Sequence, residues 1–155
     1  MTSEARPASA SEIVLRQLML PEHANPFGNV HGAWIMKLAD EAAGSAAMRH
    51  CRSRVVTKLV DQMTFDAPVH VGDLVHVTAR LTWTGRTSVE TAVTVEAEKV
   101  LTGDVRRTNS ALLVFVALDR DGNPRAVPPL LIETPDEQAE WDAAVLRRAQ
   151  RMARK

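Results

Sequence analysis

At 155 residues the chain is long enough for one domain with a real core, and nineteen Lys and Arg balance nineteen Asp and Glu. A net charge of zero argues against nucleic acid as a partner, and no apolar run approaches the roughly 18 residues of a membrane span. The single cysteine, Cys51, excludes an intrachain disulfide and points to a reducing, cytoplasmic compartment.

Residues 1–10 are small and polar, hold no stretch apolar enough for a signal peptide, and are expected to be disordered. Glu12 to Leu20 reads as a first strand stopped by Pro21. A polar loop broken by Pro26 and Gly28 follows. From about Gly32 the chain becomes its most helix-favouring run, rich in Ala, Met and Leu. Ile35, Leu38, Ala39, Ala42, Ala43 and Ala46 recur at helical spacing and form a wide apolar face. So many alanines imply that something packs very close, such as a sheet wrapped around the helix.

Asp40 interrupts that pattern. Its neighbours one turn away are Met36, Ala43 and Gly44, with Ala47 two turns on, so a carboxylate stands on a small, largely apolar surface. A carboxylate so held is a candidate base; the alternative is a half-exposed group at a helix edge. Glu41 lies about 100° round the axis, four residues from Lys37, and reads as a solvent-side ion-pair partner. Cys51, past the helix, has no base partner by motif and reads as structural.

Ser53 to Phe65 is the next strand. Leu74 to Trp83 alternates, with Val75, Val77, Ala79 and Leu81 on one face. Gly85 turns the chain. Ser88 to Val100 repeats the pattern, Val89, Val93, Val95 and Ala97 facing in and Glu90, Thr94, Glu96 and Glu98 facing out. Within Arg107 to Leu118, the run from Leu112 is apolar on both faces, as in a strand covered on both sides. Residues 11–132 thus make one domain. Residues 133–155 form a C-terminal helix from Pro135, whose basic end (Arg147, Arg148, Arg151, Arg154, Lys155) reads as a solvated face complementing the helix dipole. One long helix followed by consecutive strands indicates an α+β domain with an antiparallel sheet.

The run Ala24-Asn25-Pro26-Phe27-Gly28-Asn29-Val30-His31-Gly32-Ala33, followed by Ile35-Met36-Lys37-Leu38-Ala39-Asp40, resembles the acyl-CoA thioesterases of the hotdog fold. The similarity is greatest to the branch holding the brain acyl-CoA hydrolase and its small bacterial relatives. Val55-Val56-Thr57, Val60-Asp61, Val71-Gly72-Asp73, Gly85-Arg86-Thr87-Ser88 and Phe115-Val116-Ala117-Leu118 extend the match over roughly residues 12 to 130. Two positions depart from the family pattern: Ala33, where a second glycine is usual, and Ala39, where Met is usual.

The resemblance implies a sheet curled around the central helix, a single hotdog per chain, pairs that join two sheets into one, and assembly of dimers into hexamers. It implies hydrolysis of acyl-CoA to a carboxylic acid and CoA, with no metal or cofactor, and no nucleic-acid or membrane partner. Asp40 would then be the base or nucleophile. Asn25 would orient the water or the carbonyl opposite the partner subunit's Asp40. The backbone N–H of Gly32, at a helix start where the first donors are unpaired, would form the oxyanion hole. Asn29, His31 and Ala33 would line the substrate. Arg86, Thr87 and Ser88 offer a cation and two hydroxyls to phosphate or pantetheine, and without the resemblance they are an ordinary hairpin turn. Two rivals remain: an acyl-CoA-binding regulatory hotdog without turnover, and an enoyl-CoA hydratase or dehydratase, which would use His31. There is no Gly-x-Ser-x-Gly, no Gly-x-Gly-x-x-Gly, no P-loop and no His or Cys cluster with zinc spacing.

Overall fold

Period-two alternation builds the strands and the alanine-rich run builds the helix they surround. The computed structural model describes residues 3–154. In chain order the elements are β1 (Arg6–Pro7), β2 (Ile13–Leu18), α1 (Gly32–Cys51), β3 (Arg54–Phe65), β4 (Leu74–Thr84), β5 (Ser88–Lys99), β6 (Asp104–Leu118), β7 (Leu130–Leu131) and α2 (Pro135–Ala153). Five strands form one antiparallel sheet in the order β2-β4-β5-β6-β3. Its inner residues close around α1, where Ala42, Ala43, Ala46 and Ala47 are wholly buried. A Cβ on Gly44 would stand 3.4 Å from the Phe115 ring, so the small face of α1 is what lets the sheet come so near.

Three expectations need correction. The disordered segment over residues 1–10 fails from Arg6 onward; Met1 and Thr2 lie outside the described residues. Arg6 and Pro7 pair in parallel with Leu130 and Leu131, and Ala8 is buried. The Arg6 guanidinium also donates to the His50 carbonyl at 2.5 Å. Glu90 does face away from α1, yet it is fully buried, because α2 lies over that side of the sheet. The basic end of α2 is not simply solvated: Arg147 clasps Glu90 through two bonds of 2.6 and 3.1 Å, and Arg151 bonds Asp61 at 2.9 Å. Lys155 falls outside the described residues.

Buried Cys51 keeps its thiol inert, since burial pushes its pKa up to about 11. Burial, reinforced by Arg6 and opposed by a 2.7 Å contact to the Pro128 carbonyl, holds the His50 imidazole below its ordinary value. No helix is long and apolar enough to cross a membrane among the described residues. At the sheet edge, β3 runs twelve residues and pairs only with β6 among the described residues.

Candidate functional site

Asp40 stands half-buried on α1, facing β3. The Thr57 hydroxyl of β3 donates to its Oδ1 at 2.7 Å. Beside the pair opens a cleft of about 330 Å³ whose other walls are Ala33, Met36, Lys37, Ala39, Val60, Met63 and Leu113. Asp40 and Thr57 also border a second hollow that includes Gly44, Met48 and Val55. The carboxylate therefore separates two largely apolar depressions, with one oxygen oriented by Thr57. Glu41, one residue on, bonds Lys37 at 2.5 Å on the solvent side. Around this region Met36, Met48, Val60 and Phe65 are each more than 40% exposed, an apolar concentration of the kind found at contact surfaces.

The loop before α1 is held by Asn25. Its Oδ1 accepts the N–H groups of Phe27 at 2.9 Å and Asn29 at 3.2 Å, and Gly28 closes the turn at φ +90°. The carbonyl arm of Asn25 is thus spent on the loop, which leaves its Nδ2 as the arm available to a ligand. No side chain caps α1: Trp34 and Ile35 donate back to the His31 carbonyl, while the N–H groups of Gly32 and Ala33 take no part in these bonds. Asn25, Asn29 and Gly32 line one cavity of about 230 Å³, together with Phe65, Pro68 and Asn109. A Cβ on Gly32 would come within 3.2 Å of the Phe65 ring, so glycine is what lets that ring lie against the helix start.

The expected residues therefore fall into two groups within one chain. Asn25, Asn29 and Gly32 share the first cavity; Ala33 and Asp40 share the second with Thr57. Eight residues of helix, about 12 Å, separate Gly32 from Asp40. His31 lies elsewhere, exposed in a third hollow with Glu22, His23 and Trp34. His23 is buried, accepts the Leu20 N–H on Nδ1 at 2.9 Å and stacks on Trp34 with centroids 4.3 Å apart, which anchors the loop.

The turn Arg86–Ser88 is fixed through its backbone: Gly85 donates to Ser88, Ala117 to Thr87 and Val127 to Arg86. Its side chains remain free to turn outward, Arg86 being exposed. Strand register puts Val89, Phe115 and Thr57 in one row, so this turn sits at the Thr57 end of the sheet, two strands across, about 10 Å away. Arg106 is already committed, to Pro68, His70 and Asp73. Burial of Asp73 opposes its ionisation, but the His70 N–H, Arg106 and Lys99 outweigh it and hold the carboxyl below its usual range. No group of three His, Cys, Asp or Glu side chains could hold a metal among the described residues.

Sequence reading brought Thr57 into the family resemblance without giving it a role, and passed over Asn109. Thr57 is one polar group in a half-exposed strand, and only the strand's position against α1 gives it a role. Asn109 carries a weak signal, since asparagine is disfavoured within strands.

The family model for the thioesterase superfamily matches residues 27–103. The chain is 35% identical over 144 residues to the cytosolic acyl coenzyme A thioester hydrolase of Mus musculus, covering 92% of this chain and 38% of that protein. It therefore spans little more than a third of the mammalian relative. It is 40% identical over 125 residues to a Zymomonas mobilis protein named as an acyl-CoA thioester hydrolase, covering 79% of this chain and 83% of that one. Among solved structures, an apo-hexameric acyl-CoA thioesterase matches with a TM-score of 0.93 and 33% identity over 97% of both chains. The acyl-CoA hydrolase of Staphylococcus aureus, solved with butyryl coenzyme A, coenzyme A and coenzyme A disulfide, matches with a TM-score of 0.89 and 29% identity, over 97% of this chain and 92% of that one. The same enzyme has been solved with an asparagine, an aspartate or a threonine replaced by alanine. Those three residues follow one another at intervals of 15 and 17, the intervals that separate Asn25, Asp40 and Thr57 here.

Proposed function

The chain belongs to the thioesterase superfamily, and on that premise we propose that it hydrolyses the thioester of acyl-CoA to a free carboxylic acid and CoA. The observation that carries the proposal is Asp40, bonded to Thr57 at the mouth of an apolar cleft. Thr57 occupies Oδ1 and leaves the other oxygen to take a proton from water. The water oxygen then bonds to the thioester carbon as that proton passes to Asp40. Negative charge collects on the former carbonyl oxygen, where the Gly32 N–H and the Asn25 Nδ2 supply donors. Collapse of this intermediate breaks the carbon–sulfur bond, and the departing thiolate of CoA regains the proton. Base catalysis of this kind is worth about 10²–10⁴ in rate, and one oxyanion donor roughly 10²–10³. No metal and no cofactor enter these steps. The matching intervals of the S. aureus alanine variants support the assignment of Asn25, Asp40 and Thr57.

Since Asn25 and Asp40 occupy different cavities of one chain, a complete site draws on two. The open edge of β3 supplies the means. An antiparallel pairing of β3 with itself sets the Thr57 end of one copy against the Phe65 end of the other, beside the Asn25 cavity. The protein then works as a homo-oligomer with sites shared between subunits, three dimers forming a hexamer of the kind named for its structural neighbours. Ala33 borders the acyl chain, Asn29 and His31 shape the entrance, and Arg86, Thr87 and Ser88 contact phosphate or pantetheine. A reducing cytoplasmic setting suits the buried, unpaired Cys51.

The test is thiol release over a panel of acyl-CoA esters. Asp40→Ala should fold as wild type and lose about 10²–10⁴ in kcat. Full activity in that variant would remove Asp40 from the mechanism.

A further inference from the structure

Asn109 is polar, 1% exposed, and lies on β6 in the wall of the cavity that also holds Asn25 and Gly32. Its Nδ2 donates to the Thr64 carbonyl at 3.3 Å. Turning the amide over would set oxygen against oxygen there, so the donor and acceptor arms are fixed. The acceptor arm, Oδ1, is buried and has no hydrogen-bond partner among the described residues. A buried acceptor left unmade is costly, and native proteins rarely keep one without a use. Its strand partner Phe65 lies on the same face and borders the same cavity, so a shift of that ring would open Asn109 to a ligand.

The polar inventory of this cavity is asymmetric. Gly32 N–H and Asn25 Nδ2 offer donors; Asn109 Oδ1 is a buried acceptor still unspent, whereas the Asn29 amide on the same cavity is partly exposed and can be met by water. An acceptor of this kind repels a phosphate and calls for an N–H or O–H. If the thioester carbonyl lies on Gly32, as in the reading above on which this inference rests, the nearest donor of the substrate is an amide N–H. It belongs to the cysteamine unit of CoA, two carbons beyond the sulfur. We propose that Asn109 accepts that N–H and so selects thioesters of the pantetheine type over simple ones.

Two butyryl thioesters test this: one of N-acetylcysteamine, the other identical except that a methylene replaces the N–H. Wild type should cleave the amide-bearing ester about tenfold more efficiently, by kcat/KM. Asn109→Ala should bring the ratio close to one, with the loss falling on the amide-bearing ester. Asn109→Asp keeps an oxygen at that position and should keep most of the preference. The ratio is taken within one preparation, so partial unfolding of a variant cancels from it. Equal losses on both esters in Asn109→Ala would overturn the inference, since a structural or water-holding role acts on both. A wild type that cleaves both esters equally well would also overturn it, while leaving the hydrolase reading intact. A wild type that cleaves neither these esters nor any acyl-CoA would sink both.

Discussion

Glu90 shows how much a single buried charge can depend on an element far away in sequence. Its carboxylate is wholly enclosed, accepts the Thr82 hydroxyl at 2.6 Å and meets the fork of Arg147. Removing one member of such a pair leaves the other desolvated, which typically costs about 3–5 kcal/mol. Arg147 retains 20% exposure and can recover some hydration, so the lower end applies. Glu90→Ala should therefore lower the unfolding free energy in urea by about 3 kcal/mol. A loss under 1 kcal/mol would mean that water already reaches the pair. None of this was legible in the strand pattern. Alternation says which side of the sheet Glu90 is on, and nothing about what covers that side. Asp40 was legible for the opposite reason: it interrupts a helical apolar stripe, and a stripe already says what it packs against. Asn25 was half legible, because its Asx-type turn and its place in the cavity use different arms of the same amide.

At the scale of elements, α1 came directly from its alanines, β4 and β5 from their alternation, and the end of β6 from a run apolar on both faces. The two-residue strands β1 and β7 did not, since a pairing that short leaves no periodicity and joins segments some 120 residues apart. The bulges in β3, between Thr57 and Leu59 and between Val60 and Gln62, also escape a period-two reading, and each reverses the faces beyond it. The end of α1 carries one unfavourable local choice. Arg52 closes the helix in the left-handed region at φ +54°, where glycine is usual. A side chain there costs about 1–2 kcal/mol, of which glycine returns up to about 1 through its freer unfolded chain. Arg52 is exposed and its N–H to the Met48 carbonyl survives substitution. Arg52→Gly should then stabilise the protein by about 0.5–1 kcal/mol, visible as a raised Tm. An unchanged or lowered Tm would show that the Arg52 side chain contributes more than its backbone strain removes.

At the scale of the whole molecule, the proposed mechanism, with Asn25 and Asp40 in separate cavities of one chain, would make quaternary structure a chemical requirement. An open strand of twelve residues that carries exposed Val56, Val60 and Phe65 is an edge open to pairing with another strand. If a second β3 covers it, each site takes Asn25 and Gly32 from one subunit and Asp40 with Thr57 from the other. Asn25→Ala and Asp40→Ala, each nearly inactive alone, then complement one another when unfolded together and refolded as a mixture. Random pairing makes half of the dimers mixed, and in each mixed dimer one of the two sites has both groups intact. Half of a half gives about a quarter of wild-type activity at equal total protein. Sites built within one chain would give no recovery at any mixing ratio, because every chain lacks one group. Thiol release from the refolded mixture therefore separates the two architectures by presence against absence of turnover, and it does so without any structure of the assembly.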